Sequence, residues 1–427
     1  MSDPAYRMDE RHEPAAAASA AALDVRPVPR ISIQAFCESP ELIAAIEGAA
    51  GDRRMARAHV KVQTGGITAA AGFYQGAATP NLIVVESRLP REKLEVELDR
   101  LAEVCDAGTK IVVIGHVNDV DLYRHLMQRG VNEYLVAPIG LMDVIRVVSD
   151  LYVDRVTQPL GRSIAFVGAK GGVGSSQIAH NVAWSISRAF DHDVLVADLD
   201  LAFGTAGLDF NQDPPQGIAE AVGATDRLDD NFLDRLFARC SDHLNLLAAP
   251  ATLDRTYDFS EGAFEPIIDL AQAGVPAVVL DVPHAWNAWV RKTLLAADEV
   301  VITVEPDLAN LRNAKNLVDL LRAARNNDRP PHLIVNKHGL AKRPEIKLDD
   351  FAKALSIEPL AVIPFNAQLF GTATNNGQML AEVEPKNALV ATFDMIAHTV
   401  TGRDEVKRPK RSGLAPLLAR LTGQKGA

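Results

Sequence analysis

The residues best suited to chemistry lie together in one run, Ser163-Ile-Ala-Phe-Val-Gly-Ala-Lys-Gly-Gly-Val-Gly-Ser-Ser-Gln-Ile-Ala-His-Asn181. Its apolar opening, Ile164 to Val167, reads as a buried strand. A glycine-rich turn follows from Gly168 to Gly174. A helix then begins at Ser175, with Ile178, Val182 and Ile186 at helical spacing. A strand, a glycine turn and a helix start aim backbone N–H groups at one point and favour negative charge there. The glycines let the backbone approach phosphate oxygens without an intervening Cβ. The expected ligand is a nucleotide, cradled by Ala169, Lys170, Gly171, Gly172, Val173, Gly174, Ser175, Ser176 and Gln177. In the pattern G-x-x-x-x-G-K-[ST], Ser176 takes the magnesium-ligand position and Ser175 stands where the second lysine would be. A purely structural turn explains neither the three glycines nor the helix-opening serines.

Such a cradle needs acids opposite it. Asp193-Val-Leu-Val-Ala-Asp-Leu-Asp200 is a strand that ends in Asp198 and Asp200. Carboxylates at the carboxyl end of a parallel strand lie beside the phosphate loop. Either acid also fits a strand-end cap or a solvated turn, and for Asp198 the two readings are evenly matched. Ala277-Val-Val-Leu-Asp281 is four apolar residues ending in an acid, and Asp281 is expected to bind the Mg2+ hydration shell opposite Ser176. Trp286 and Trp289 follow and suit either ligand stacking or core and interface packing. Lys337 reads as a surface lysine. His180, His243, His284 and His338 show no ligand spacing, so no metal is assigned to them.

The early lysine of Ala169-Lys-Gly-Gly-Val-Gly-Ser-Ser176 resembles the deviant Walker A loop of the ParA/MinD family, K-G-G-x-G-K-[ST]. The resemblance implies an ATPase whose signature lysine, here Lys170, reaches across a nucleotide-sandwiched homodimer to the partner's phosphates. It also implies that Asp200 orients the attacking water, that Asn336 contacts adenine, and that Pro364 and Asn366, in Ile363-Pro-Phe-Asn366, line the base pocket. The chain keeps the signature lysine and lacks the second one. Phosphoryl transfer depends on neutralising the β- and γ-phosphates, so binding of ATP with Mg2+ and slow hydrolysis, or none, is expected.

The elements that position this site fill the second part of the chain, and a different pattern precedes them. Strands at 31–36, 81–85, 110–114 and 134–136 alternate with helices at 40–49, 91–105, 120–129 and 140–153, which implies a parallel sheet with helices on both faces. This part resembles a response-regulator receiver domain through Pro80–Pro90, Lys110–Ile114 and Gly130–Pro138. It departs at each chemical position. Glu86 takes the phosphoacceptor slot, Ala137 the lysine slot and Gly115 the hydroxyl slot, while Phe36 and Cys37 replace the acidic pair. Without the acids and the lysine it is expected to be inert, serving docking or dimerisation.

At 427 residues the chain has room for two or three domains. We expect a disordered segment over 1–28, a receiver-like domain over 29–154, a ParA/MinD-like domain over 155–402 and a basic amphipathic tail over 403–427. The fold class is α/β, two doubly wound parallel-sheet domains. The formal net charge of −11 argues against nucleic acid. Cys37, Cys105 and Cys240 are scattered, which fits a reducing cytoplasm. The uncharged run 62–85 carries glycines and Pro80 and reads as loop, short helix and strand, not a membrane span. In the tail, Lys407, Arg408, Lys410 and Arg411 precede a stripe of Leu414, Leu417, Leu418 and Leu421. Peripheral contact with an anionic membrane, a partner-docking helix and a frayed end all fit it.

A degenerate receiver joined to such an ATPase resembles the CpaE/TadZ family. That implies a cytoplasmic, polar protein which helps assemble tight-adherence (Flp-type) pili with secretion proteins at the inner membrane. A DNA-partitioning ATPase and a nucleotide-independent scaffold are the alternatives. The first lacks a basic surface outside the tail. The second does not account for Lys170, Ser176, Asp200 and Asp281 being present together.

Overall fold

The computed structural model describes residues 25–106, 108–152, 161–190, 192–253 and 256–402. The expected N-terminal segment up to residue 24, residues 153–160 and the basic tail lie outside them.

The strands β1 (Ser32–Cys37), β2 (His59–Thr64), β3 (Leu82–Glu86), β4 (Lys110–Gly115) and β5 (Glu133–Val136) form a sheet in the order β2-β1-β3-β4-β5. Every pairing in it is parallel. Leu42, Ile46, Val144 and Val148, from helices Pro40–Ala50 and Leu141–Tyr152, cover one face. Leu94, Leu98, Leu122 and Leu126, from helices Arg91–Val104 and Val120–Gln128, cover the other. Strand β2 was not among the expected elements. It is an edge strand whose outer residues face solvent, so its side chains lack the buried signature of its neighbours. No helix among the described residues is long and apolar enough to cross a membrane. Val28, expected in the disordered segment, is buried and its N–H donates to the Arg54 carbonyl at 2.7 Å.

Glu86, expected in a phosphoacceptor slot, is closed in by its own contacts. Glu86 is fully buried and accepts hydrogen bonds from Glu38 N (2.6 Å), Ser39 N (2.8 Å) and Ser39 Oγ (2.8 Å), with His116 Nε2 at 2.9 Å. Burial opposes ionisation of Glu86, but these bonds hold its carboxyl below the ordinary range. Gly115 stands in the hydroxyl slot because Tyr134 fills the space: a Cβ there would lie 2.1 Å from Tyr134 Oη.

The second sheet comprises β6 (Arg162–Gly168), β7 (Val194–Asp198), β8 (Ala238–Ser241), β9 (Leu244–Leu247), β10 (Ala277–Val282), β11 (Glu299–Val304), β12 (His332–His338) and β13 (Ala361–Pro364). Its order is β13-β12-β11-β6-β10-β7-β9-β8, parallel except for the antiparallel β8–β9 pair. Helices Ser175–Phe190 and Ala388–Thr401 bury Ile178, Val182, Ile186, Phe393 and Ile396 on one face. Helices Glu265–Gly274, Ala288–Ala296 and Leu308–Ala324 bury Ile267, Val290, Leu294, Val318 and Leu321 on the other. The helix Asp230–Leu236 ends before the β8–β9 pair. Phe237 turns extended, and Ala238–Ser241 pairs with β9 as an edge strand.

The two units meet through the turn Asp52–Arg57. Arg53 Nε lies 2.6 Å from Asp328 Oδ2 and its Nη1 3.1 Å from Asp298 Oδ1. Arg54, almost fully buried, joins Asp52 at 3.0 Å and also pairs with Asp328. Asn327 Nδ2 donates to Asp52 Oδ2 at 3.0 Å. Asp298 Oδ2 in turn accepts from Ser163 N and Oγ, both at 2.9 Å, so the contact reaches the first residues of β6. A cavity of about 220 Å³, lined among others by Arg57, Ile268 and Lys292, lies beside this contact, at the opposite end of the sheet from the glycine turn.

Candidate nucleotide-binding site

Strand β6 is central, with β11 and β10 as its neighbours. The turn that leaves it, 169–174, therefore emerges where the strand order diverges, the usual place for a ligand in an open parallel sheet. Gly172 (φ 79°) and Gly174 (φ 87°) are in the left-handed region, where a side chain is disfavoured. A Cβ on Gly174 would also lie 2.7 Å from Asn336 Nδ2. Ala169 N donates to the Thr303 carbonyl at 2.9 Å, Asn313 Nδ2 donates to the Ala169 carbonyl at 2.8 Å, and His284 Nδ1 lies 2.9 Å from the Gly168 carbonyl. The turn is thus held from β11, from the helix after it and from the loop after β10. Ser175 Oγ is buried and has no hydrogen-bond partner in the protein, an orphaned polar atom on the first residue of the helix that the glycine turn feeds. Such a site fits an anionic ligand.

The structure brings most of the expected residues together. Lys170 is half exposed, and its Nζ lies 3.6 Å from Asp307 Oδ2 in the same chain. Ser176 and Gln177 open the helix beside Ser175. Asp198 and Asp281 sit opposite one another in the β7–β10 register. Asp200 Oδ1 accepts from Phe203 N at 3.0 Å, shaping the turn after β7.

Asn336 is buried and both ends of its amide are engaged: Nδ2 donates to the Val173 carbonyl and Oδ1 accepts from Lys337 N, each at 2.8 Å. In this structure its amide holds the glycine turn. Pro364 and Asn366 lie at the end of β13, about 14 Å across the sheet from β6 at the usual strand spacing. Asn366 Oδ1 caps the helix Ala367–Asn376 by accepting from Leu369 N at 3.0 Å. Trp289 is core, packed on Phe264 with ring centroids 4.6 Å apart, whereas Trp286 is exposed.

Two residues were missed. Lys337, read as a surface lysine, has φ 53°. Its Nζ donates to the Gly172 carbonyl and pairs with Glu305 at 3.0 Å. His180, read as unassigned, is fully buried. Its Nδ1 lies 2.7 Å from Asp209 Oδ2 and its Nε2 3.4 Å from Asp281 Oδ2. A sequence signal existed for His180, because it follows Ser176 by four residues and so shares its helix face. Burial opposes protonation of His180, but Asp209 and Asp281 outweigh it and push its pKa up to about 10. Burial, reinforced by the charge of Asp281 and opposed by His180, pushes the Asp198 carboxyl up to about 7. Asp198 accepts from Asp200 N and Ala206 N, both at 3.1 Å.

Among the described residues no group of three or more His, Cys, Asp or Glu side chains is arranged to hold a metal ion alone. A hydroxyl and a carboxylate, as expected of Ser176 and Asp281, are nonetheless oxygen donors of the kind Mg2+ takes, since that ion keeps water and draws its remaining ligands from phosphate.

Residues 161–333 match a family model described as an AAA domain. The chain is 24% identical over 258 residues to the septum site-determining protein MinD of Bacillus subtilis (strain 168), spanning 57% of this chain and 90% of that protein. Among solved structures, a ParA family ATPase from Chlorobium tepidum TLS is 28% identical, with a TM-score of 0.51, covering 56% of this chain and 98% of that one. A pilus assembly protein CpaE from Caulobacter crescentus CB15 is 53% identical over 30% of this chain and 98% of its own, with a TM-score of 0.30. Over its glycine-turn sheet the chain is thus similar to ParA/MinD-like ATPases, and CpaE pilus-assembly proteins are among the solved structures it resembles.

Proposed function

We propose that the chain is an ATP-binding, slowly hydrolysing dimerisation switch that localises and helps assemble a bacterial tight-adherence (Flp-type) pilus. The observation that carries the nucleotide reading is the buried, unpartnered Ser175 Oγ at the helix start that follows a turn with two left-handed glycines. Backbone N–H groups of 170–176 bind the phosphates. Mg2+, held by Ser176 and Asp281 together with the nucleotide, supplies charge neutralisation at the phosphate oxygens. Asp200 orients the attacking water.

Hydrolysis is slow because Ser175 puts no cation on the phosphates. Two lysines of the turn and its surroundings are engaged elsewhere in this chain, Lys170 with Asp307 and Lys337 with Gly172 and Glu305. The dimer reading is supported by the apolar side chains on the loops at the carboxyl end of the sheet. Phe203 (74% exposed) and Trp286 (55%) lie on the loops after β7 and β10, and Leu308 (73%) opens the helix after β11. A second chain closing face to face over the nucleotide would cover them, and Lys170 of each chain would leave its Asp307 for the partner's phosphates.

The pilus assignment rests on the CpaE likeness, with secretion proteins at the inner membrane as partners and a cytoplasmic, polar location. Fluorescent-ATP binding by the wild type and by Gly174→Val, with pilus counts in a tight-adherence bacterium carrying each, tests the whole reading. It predicts that the variant loses both nucleotide and pili. Nucleotide binding unchanged in Gly174→Val contradicts it.

A further inference from the structure

His180 touches both the acid proposed to bind Mg2+ and the segment that follows β7. It lies one helical turn below Ser176, on the inward side of the helix Ser175–Phe190, and is completely buried. One ring nitrogen, Nε2, lies 3.4 Å from Asp281 Oδ2, a charge contact that falls short of hydrogen-bond geometry. The other, Nδ1, lies 2.7 Å from Asp209 Oδ2. Asp209 closes the short helix Ala206–Asp209, whose first N–H donates to Asp198. Segment 199–209 is therefore tied at one end to Asp198 and at the other to His180, with the exposed Phe203 and Leu208 between them. Phe210 packs against the imidazole, ring centroids 5.3 Å apart, and prevents the ring from swinging out.

A carboxylate that binds a metal is oriented by the polar and charged groups around it, and losing such a group typically weakens metal binding. Three buried carboxylates, Asp198, Asp209 and Asp281, share this region with a single imidazole. Any change in how Asp281 is engaged alters its hold on His180 and, through His180, on Asp209.

We infer that His180 is a positioning residue that fixes the Asp281 carboxylate and couples its engagement by a divalent cation to the segment bearing Phe203 and Leu208. The cation's arrival at Asp281 is thereby transmitted to the apolar surface around the cradle. This inference rests on the nucleotide reading above.

The test compares wild type, His180→Gln and Asp209→Asn, each checked for a folded state by circular dichroism. Fluorescent-ATP affinity is measured with EDTA and across a Mg2+ titration, and hydrogen exchange of residues 199–210 is followed without nucleotide and with Mg2+ and ATP. The coupling predicts unchanged metal-free ATP affinity in both variants, with a Mg2+ requirement roughly 10–100-fold higher in His180→Gln. It also predicts faster exchange of 199–210 in both variants, even without nucleotide, and no added protection from Mg2+. A folded His180→Gln or Asp209→Asn with wild-type Mg2+ dependence and wild-type exchange overturns it. If His180→Gln does not fold, Asp209→Asn alone decides, since it releases the ring from outside the helix. If the wild type binds no nucleotide, the nucleotide reading fails, and the metal half of the coupling with it. Unaltered exchange in the nucleotide-free variants sinks the coupling alone.

Discussion

Lys170 Nζ and Asp307 Oδ2 lie 3.6 Å apart in the same chain, so the signature lysine is held at home by the residue that caps the helix Leu308–Ala324. Burial raises the Asp307 pKa, but the cap bonds from Asn310 and the charge of Lys170 outweigh it and keep its carboxyl below the ordinary range. Asp307→Asn keeps a competent cap, because Asn serves as well as Asp there, and removes the charge that holds Lys170. We expect ATP-dependent dimerisation to tighten several-fold with little change in melting temperature. Sedimentation at a series of protein concentrations measures it.

The glycine turn tolerates no side chain at 174. Gly174→Ala forces a left-handed backbone on alanine, about 1–2 kcal/mol, and drives its Cβ against Asn336. ATP affinity should fall at least about tenfold, the equivalent of 1.4 kcal/mol. Asn336→Ala releases the Val173 carbonyl and should weaken ATP in the same direction without discriminating adenine from guanine nucleotides. Titration with ATP and GTP reads both effects.

Ser175→Lys places a cation where the phosphates need one. Hydrolysis should rise by at least about tenfold, since single charge-stabilising groups in such sites are worth more than that. Phosphate release under saturating ATP measures it. An unchanged rate would mean that the cation is not what limits turnover.

The contact between the two units should be sensitive to acid. Burial alone would raise the Asp328 pKa, but Arg53, Arg325 and Arg54 outweigh it and hold the carboxyl below its ordinary 3.8. A carboxyl depressed on folding adds stability that is complete above its unfolded pKa and fades as pH falls through the folded value. The melting-temperature difference between wild type and Asp328→Asn should therefore stay constant through neutral pH and shrink below about pH 4. Asp328→Ala at neutral pH leaves Arg53 and Arg54 without their shared acid and should cost about 3 kcal/mol in chemical unfolding.

Much of the site was legible because its parts are contiguous: strand, glycine turn and helix follow one another in nineteen residues from Ser163 to Asn181. The strand-end acids Asp198 and Asp281 were legible because buried parallel strands are continuous apolar runs and their ends stand out. His180 and Lys337 were not, because each acquires its partners from elements 29 to 165 residues away. Edge strands β2 and β8 were missed for a related reason. An edge strand is half solvated, and its pattern resembles a loop or a short amphipathic helix. Glu86 stands out in the sequence as a departure from a phosphoacceptor aspartate, but only the packing reveals that Ser39, Glu38 and His116 already occupy its oxygens.

The central claim is that ATP closes two chains through Lys170. The most direct measurement is equilibrium binding of ATP and ADP with Mg2+, run beside sedimentation of the same samples, on wild type and Lys170→Ala. The account predicts that ATP, and not ADP, converts wild type from monomer to dimer, while Lys170→Ala binds ATP and stays monomeric. If neither nucleotide binds at millimolar concentration, or if Lys170→Ala dimerises as the wild type does, the account is contradicted.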